Sequence, residues 1–413
     1  MYLSNYDRVA CCGCGSCQQI CPSQCITMKL LDDGFFYPAI DEENCVHCDN
    51  CKKVCPIHQP ENKLLGRYPR DCYYGWHKDE SIRMQSTSGG IFSAIAEWVL
   101  ENSNSCVYGA LYDDDWRICH KGVDSLVGLD RLRQSKYVQS SLGSCYSEIQ
   151  ERLNRHELIL FCGTPCQVNG LQRFLRKDYE KLLLVDFVCH GVSSPLIFEA
   201  YVQHIEKKQG SRLKRFRFRD KVSVGNVPSL GHTTMVFENS RKISSECNLY
   251  LQAYINGLMQ RVSCEMCPFA SRYRMSDITL GDFWGIEDAI PMLKDQYPKG
   301  ISLILSNTEK GHVICQELLD RIHLVKTELL YAFNGKNKQF EIPVSAKKSS
   351  QQLYNDVKKI GVQLALAKAL GLRTLLLMYY GWCKVRMKAY LPKTIYRWMV
   401  FFKRSLIVYK KQS

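Results

Sequence analysis

CCGCGSCQQICP at residues 11–22 and CVHCDNCKKVCP at residues 45–56 share one pattern. Each run spaces its cysteines C-x2-C-x2-C-x3-C and closes with proline. Cys11, Cys14, Cys17 and Cys21 precede Pro22; Cys45, Cys48, Cys51 and Cys55 precede Pro56. This spacing is that of a module holding two [4Fe-4S] clusters. Three close cysteines wrap one cluster, and the fourth reaches across to the other. The expected sets are Cys11, Cys14 and Cys17 with Cys55, and Cys45, Cys48 and Cys51 with Cys21. Each proline ends its short helical segment. Gly13 and Gly15 supply backbone freedom and amide N–H groups near sulfur. Four-cysteine zinc sites also use C-x2-C pairs, but two complete runs, each closed by proline, favour iron–sulfur. Cys12 and Cys25 stand outside the pattern and read as small buried side chains. Between the runs, residues 26–41 (ITMKLLDDGFFYPAID) predict a hairpin with its turn at Asp32, Asp33 and Gly34.

Working outward, 413 residues with 46% hydrophobic content can bury a core of more than one domain. The 22 cysteines are too dilute for a disulfide scaffold. Their motif placement requires reduced thiolates, which fits the cytoplasm, and no secretory leader pattern opens the chain. The net charge of +14 is uneven: residues 351–413 hold thirteen Lys or Arg and one acid, Asp356. The basicity therefore belongs to the tail, and the folded body carries no nucleic-acid footprint. Four regions are expected: a two-cluster module (1–62), a first part of the body (68–155), a second part (156–350) and a basic helical tail (351–413). The fold class is mixed, α+β or α/β, with a ferredoxin-like module fused to a flavin and iron–sulfur body.

Four body cysteines stand beside glycine or proline: Cys166 in FCGTPCQVNG, Cys189 in VDFVCHGVSSP, and Cys264 and Cys267 in CEMCP. Residues 157–161 and 181–188 read as strands, so Cys166 and Cys189 fall at strand C-termini, where open α/β sheets place their sites. A distant C-x2-C pair can complete a four-thiolate shell. The set is read as a third [4Fe-4S] cluster. A structural zinc, a redox dithiol at Cys264 and Cys267, and unrelated buried thiols remain alternatives, with Cys162 as a substitute ligand.

Ser86, Thr87, Ser88, Gly89 and Gly90 precede an apolar helical run at 91–100, an arrangement that offers N–H groups to a phosphate. Ser135, Lys136, Tyr137, Gln139 and Ser140 form a polar segment before a second helix, with Lys136 suited to a phosphate or a ring carbonyl. Residues 276–285 end a strand in Asp282, Phe283 and Trp284, suited to a flat ring. Ordinary helix capping and core packing are the competing readings. No G-x-G-x-x-G or Walker A sequence appears. A flavin, FAD, is the attractive cofactor because it exchanges one or two electrons. In the strand-like run at 215–221, Arg215, Arg217 and Arg219 alternate with Phe216 and Phe218, giving a basic face for an anionic group or for solvent. His190 and Lys136 are the candidate catalytic residues, with a hydrogen-bonded structural role the alternative for His190.

GTPCQVNGL, VDFVCHGVSSP, FRFRDK, CEMCPF and SDITLGDFWG together resemble the coenzyme F420 hydrogenase/dehydrogenase beta-subunit family, which includes 7-hydroxymethyl chlorophyll a reductase. The likeness spans residues 68–350. It implies an FAD-containing iron–sulfur oxidoreductase that passes electrons between a ferredoxin-type donor, clusters, FAD and an organic or deazaflavin-like acceptor. It also implies that Ser86, Ser88, Gly89, Gly90 and the 135–140 segment contact the flavin, and that Cys166, Cys189, Cys264 and Cys267 hold the body cluster. An electron-transfer subunit serving a separate catalytic protein is the alternative. A zinc-stabilised interaction module is a third class.

In the tail, 362–370, 374–382, 398–402 and 405–409 are apolar stretches broken by Lys and Arg. No stretch reaches the length of a clean spanning helix. Interfacial helices on an anionic membrane face are expected, with docking on a partner or packing on the body as alternatives.

Overall fold

The computed structural model describes residues 3–4, 6–58, 66–224, 227–333, 336–345 and 350–390. The apolar stretches at 398–402 and 405–409 and the module boundary at residue 62 lie outside the described residues.

In the N-terminal module, β1 (Ile26–Leu30) pairs antiparallel with β2 (Phe36–Ile40), Ile26 facing Ile40. The turn forms as expected. Gly34 takes φ 80°, and the Asp33 carboxylate accepts from the Phe35 amide (3.1 Å) and the Tyr37 hydroxyl (2.6 Å). The helices Ser16–Gln19 and Asn50–Lys53 carry the middle of each cysteine run.

The body follows as β3 (Asp71–His77), β4 (Ser105–Tyr112), β5 (Ile118–Val123), β6 (Leu158–Cys162), β7 (Leu182–Phe187), β8 (Leu213–Val224), β9 (Val227–Phe237), β10 (Lys242–Ser245), β11 (Ile278–Asp282), β12 (Ser302–Ser306) and β13 (Ile322–Thr327). Eight of these build one mixed sheet in the order β13-β3-β12-β11-β7-β6-β4-β5. Its centre, β11-β7-β6-β4, is parallel and its flanks are antiparallel.

The central strands are mostly apolar because helices cover both faces. Leu183 and Val185 meet the helix Ile91–Leu100 on one side. Leu182 and Leu184 meet the helices Cys145–Asn154 and Pro165–Leu175 on the other. The last of these helices starts where the sequence requires it. Thr164 and Gln167 form a reciprocal capping box, and Pro165 occupies the first turn. Cys166 is thereby fixed one residue inside the helix.

β8, β9 and β10 form a second, antiparallel sheet. Phe216 and Phe218 point into a core shared with the helices Pro195–Gln209 and Leu249–Ile255. Leu353, Val357, Ala365, Leu366 and Leu370 join the same core. The first part of the basic region, expected as a separate tail, is thus packed on the body.

The helix Val362–Tyr390 is kinked at Gly371, whose φ of 73° and ψ of 159° suit only glycine. The expectation of no spanning-length helix needs correction. Among the described residues, Val362–Cys383 is long and apolar enough, by length and composition, to cross a membrane. Lys368 and Arg373 do not end the apolar run, because their long stems carry the charge away from a helix surface.

Candidate functional site: three thiol sets and a cavity

The N-terminal module docks on the body through groups buried at their junction. The Ser16 hydroxyl donates to the Gly170 carbonyl (3.0 Å), and Gln19 accepts from the Tyr146 amide (2.8 Å). The Ser194 hydroxyl donates to the Gly34 carbonyl (2.8 Å). A side chain at Gly170 would meet Ser16 and Cys14, so the helix Pro165–Leu175 lies directly against the first cysteine loop.

Among the thiols, Cys17 is pushed up by burial and then by Cys14, Cys11, Cys55 and Cys51. Cys11 is likewise raised by burial, with Cys14 and Cys55 nearby. Cys11, Cys14, Cys17 and Cys55 therefore cluster together, the crossed pairing that the spacing implies. A second pocket is walled by Cys21, Cys25, Cys45, Cys48 and Cys51. Cys25 adds to this second set, its sulfur 3.4 Å from that of Cys21.

The third group forms inside the body. Cys189 is raised well above the usual thiol range by burial, then by Cys264, Cys166 and Cys267. Cys264, pushed up to about 12 by burial, also feels Cys267 and Cys166. All four predicted body cysteines are brought together, from the ends of β6 and β7 and from a loop much later in the chain. Cys162, the substitute ligand in the sequence reading, stands apart. Burial pushes it up to about 12, and its charged neighbours are Asp186 and Lys136. Among the described residues no three His, Cys, Asp or Glu side chains converge on a single metal ion.

Cys12, read as a filler, bridges two sets. Its thiol is in hydrogen-bond contact with those of Cys14 and Cys166. That contact draws Cys14 down to about 7 and lowers Cys166.

A cavity of about 1170 Å³ opens beside the body thiols. Three predicted segments converge on it: Ser86, Thr87, Ser88 and Gly90; Ser135, Lys136, Tyr137 and Ser140; and Asp282 with Trp284. Cys189 and His190 also reach it. The helix Ile91–Leu100 begins at its edge, with Gly90 (φ 91°) as N-cap.

Several predicted contacts take other roles. The Gly89 amide donates to Ser302 (2.9 Å) and its carbonyl accepts from His77 (2.8 Å), so it packs on the sheet and offers no free N–H. Gln139 turns away, donating to the Cys12 carbonyl (3.3 Å) at the module junction. Phe283 is core, 1% exposed, whereas Trp284 faces the cavity, because successive residues at a strand end point oppositely. Ser86 and Ser88 line the cavity, but their hydroxyls donate to the Ile82 (2.8 Å) and Ile301 (3.2 Å) carbonyls. Lys136 reaches the cavity wall with its ammonium on four carbonyls, those of Arg131, Leu132, Arg133 and Gln134, at 2.7–3.2 Å. Burial lowers it to about 7. That geometry holds the loop and leaves no donor free for proton transfer. His190 Nδ1 accepts from the Gln339 side-chain amide (2.9 Å) and its Nε2 donates to the Ile255 carbonyl (3.4 Å); burial lowers its pKa.

The sequence reading left Arg219 undivided from its neighbours and missed two further contributors. Arg219 was one of a uniform basic face, but the pairing slips between Arg217 and Asp220 and divides that face. Arg217 pairs with Asp220 (3.1 Å), whereas Arg219 enters the cavity wall, bound to Asp282 (2.5 Å) and Tyr137 (3.3 Å). Tyr254 stacks on Tyr137 with ring centroids 4.7 Å apart. Thr374, Leu377, Met378 and Trp382, beyond the Gly371 kink, close one side. Only the Arg219 alternation carried a sequence signal.

Residues 10–58 match the 4Fe-4S dicluster domain, and residues 156–329 match the C terminus of the coenzyme F420 hydrogenase/dehydrogenase beta subunit. No curated protein matches the chain. Among solved structures, a chain of the xenon-derivatised F420-reducing [NiFe] hydrogenase complex from Methanosarcina barkeri is similar at 16% identity and a TM-score of 0.45, over 74% of this chain and 96% of that one. The convergent thiol sets and the dicluster match define an iron–sulfur electron-transfer protein. Over residues 156–329 its body is similar to the C terminus of the coenzyme F420 hydrogenase/dehydrogenase beta subunit.

Proposed function

We propose that this chain is an FAD- and iron–sulfur-dependent oxidoreductase that moves electrons between a ferredoxin-type protein and an organic or deazaflavin-like molecule. The observation that carries the reading is the convergence of three separate loops on one cavity that Cys189 also walls. Cys166, Cys189, Cys264 and Cys267 would hold a third [4Fe-4S] cluster there. Bound FAD would exchange hydride with the acceptor and single electrons with the clusters.

The residues present suit that cofactor. Tyr137, Tyr254 and Trp284 offer flat apolar faces. Arg219, buried beside Asp282, supplies a fixed cation, and the start of the helix Ile91–Leu100 supplies a positive dipole end. The volume exceeds the roughly 300–1,000 Å³ of an ordinary ligand pocket, leaving space for an acceptor beside the cofactor. Neutral His190 at the wall is the candidate proton-handling group; Lys136 positions the loop that bears Tyr137.

The thiol sets run from surface to cavity. Cys48 is exposed, Cys51 and Cys17 adjoin, Cys12 spans Cys14 and Cys166, and Cys189 meets the cavity. The exposed loop around Cys48 is where a protein donor would approach. All 22 cysteines are free thiols, which supports a reducing cytoplasm. The basic residues beyond Gly371 support contact with an anionic membrane face.

The test is oxygen-free purification followed by visible spectroscopy and iron, sulfide and flavin analysis. About twelve irons and one FAD per chain are expected. A flavin-free protein with about eight irons would sink the proposal.

A further inference from the structure

Arg261 lies three residues before Cys264 and is fully buried, 0% exposed. Its Nε donates to the Cys11 carbonyl (2.7 Å), and its Nη1 donates to the Phe36 carbonyl (3.0 Å) and Gln139 Oε1 (3.0 Å). The guanidinium lies 4.0 Å from the centre of the Tyr37 ring. A side chain at Gly13 would collide with Gln139 and Arg261, so the first cysteine loop is laid directly on this pair. Two of its five N–H groups thus hold the N-terminal module onto the body directly, and a third binds Gln139, which itself reaches the Cys12 carbonyl.

Two features remain unexplained by docking. Among the described residues no carboxylate pairs with Arg261, although an unpaired buried cation is costly. Its Nη2 is also buried without a hydrogen-bond partner. Arg261 sits between the two cysteine loops: its Nε donates to the Cys11 carbonyl (2.7 Å), and its own carbonyl accepts from the Cys264 amide (2.9 Å). Cys11 belongs to the first module set and Cys264 to the body set. A cluster bound by four thiolates is anionic, and its sulfurs accept hydrogen bonds.

We infer that Arg261 is the shared counter-ion of the first N-terminal cluster and the body cluster, with Nη2 donating to a cluster sulfur. The inference rests, for the body cluster, on the function proposed above; for the N-terminal cluster it stands on the dicluster match alone. A fixed positive charge stabilises the reduced, more negative state. Arg261 therefore raises the potential at this junction and draws electrons to the step between module and body. It touches no substrate and acts as a positioning and tuning residue.

The experiment is a potentiometric titration of the full-length, cluster-loaded protein followed by electron paramagnetic resonance. Arg261→Met keeps the apolar stem and removes the charge; Arg261→Lys keeps the charge and loses the fork. At full iron content, Arg261→Met lowers the midpoint of the junction cluster by at least a tenfold change in the reduction equilibrium, about 59 mV for one electron. Arg261→Lys lowers it less. An unchanged midpoint in Arg261→Met with intact iron overturns the inference. Should that variant lose its clusters, pulsed resonance on the reduced wild-type protein, labelled with ¹⁵N in the guanidinium, decides. Nitrogen coupling to a cluster supports the inference, and its absence overturns it. The iron count separates the two readings, since about eight irons with a shifted midpoint would remove the body cluster but keep Arg261 on the N-terminal one.

Discussion

The N-terminal module and the body assemble sulfur in opposite ways. In the module, each trio of cysteines lies within seven residues, and the helices Ser16–Gln19 and Asn50–Lys53 present them locally. Chain spacing alone dictates the result. In the body, Cys166 follows β6, Cys189 follows β7, and the Cys264–Cys267 pair arrives before β11. There the sheet does the gathering, because parallel neighbours deliver their C-terminal ends to one edge. A set defined by spacing tolerates a disturbed body; one defined by topology does not.

The sharpest break of this comparison comes from paired ligand changes. Cys17→Ser is expected to remove about four irons and to leave the other sets loaded. Cys264→Ser is expected to remove about four irons and to weaken flavin retention as well, since Cys189 of the same set borders the cavity. Iron and flavin analysis of oxygen-free protein reads both. Loss of the N-terminal irons in Cys264→Ser would show that the module set depends on the body.

Truncation asks the same question of the C-terminal region. Leu353, Val357, Ala365, Leu366 and Leu370 are buried with Phe216, Phe218 and Tyr250, so removal of residues 350–413 should prevent soluble expression. A single Leu366→Ala is expected to cost about 2–5 kcal/mol in denaturant unfolding. Removal of 372–413 should leave the fold intact and unroof the cavity at Leu377, Met378 and Trp382. Equal stability losses for the two truncations would deny the division at Gly371.

How much of this was legible follows from range. The crossed cysteine sets, the hairpin with its Gly34 turn and the helix Ile91–Leu100 are short-range patterns, and each occurs where the sequence puts it. The central strands announced themselves by apolar runs bounded by glycine and proline. The body cysteines were legible as a group because Cys166 and Cys189 follow strand ends and Cys264 and Cys267 form a C-x2-C pair. What was hidden is set by tertiary pairing. Phe283 and Trp284 look equivalent in sequence, yet strand alternation sends one into the core and the other to the cavity. Arg215, Arg217 and Arg219 look equivalent until a register shift separates them. A lysine- and arginine-rich tail reads as a membrane-surface element because net charge conceals the buried stripe of Leu353 to Leu370. Cys12 carries no spacing signal, since its partner Cys166 is remote in the chain.

Arg219 sharpens the body side of the comparison. It is held by Asp282 and Tyr137 and stacks near Trp284, 5.2 Å from the ring centre. Arg219→Met leaves the Asp282 carboxylate without its partner at the cavity wall. Flavin affinity, measured by fluorescence titration of the released cofactor, is expected to fall about 100-fold, or about 2.7 kcal/mol. The iron content should not change, because Arg219 touches none of the thiol sets. An Arg219→Met protein that retains flavin normally would remove this cation from the proposed cradle.

Gln139 provides the smallest and most discriminating test. By sequence it belongs to the same polar segment as Tyr137 and Ser140, both at the cavity. By structure its side chain crosses to the module, donating to the Cys12 carbonyl and accepting from Arg261. Arg261 keeps its bonds to Cys11 and Phe36 when Gln139 is lost. Gln139→Ala should therefore cost only about 1 kcal/mol, read as a lower denaturant midpoint. Flavin affinity should stay at the wild-type value, in contrast to Arg219→Met. Weaker flavin binding in Gln139→Ala would return this residue to the cavity and blur the line between module and body that Arg261 and Gln139 define.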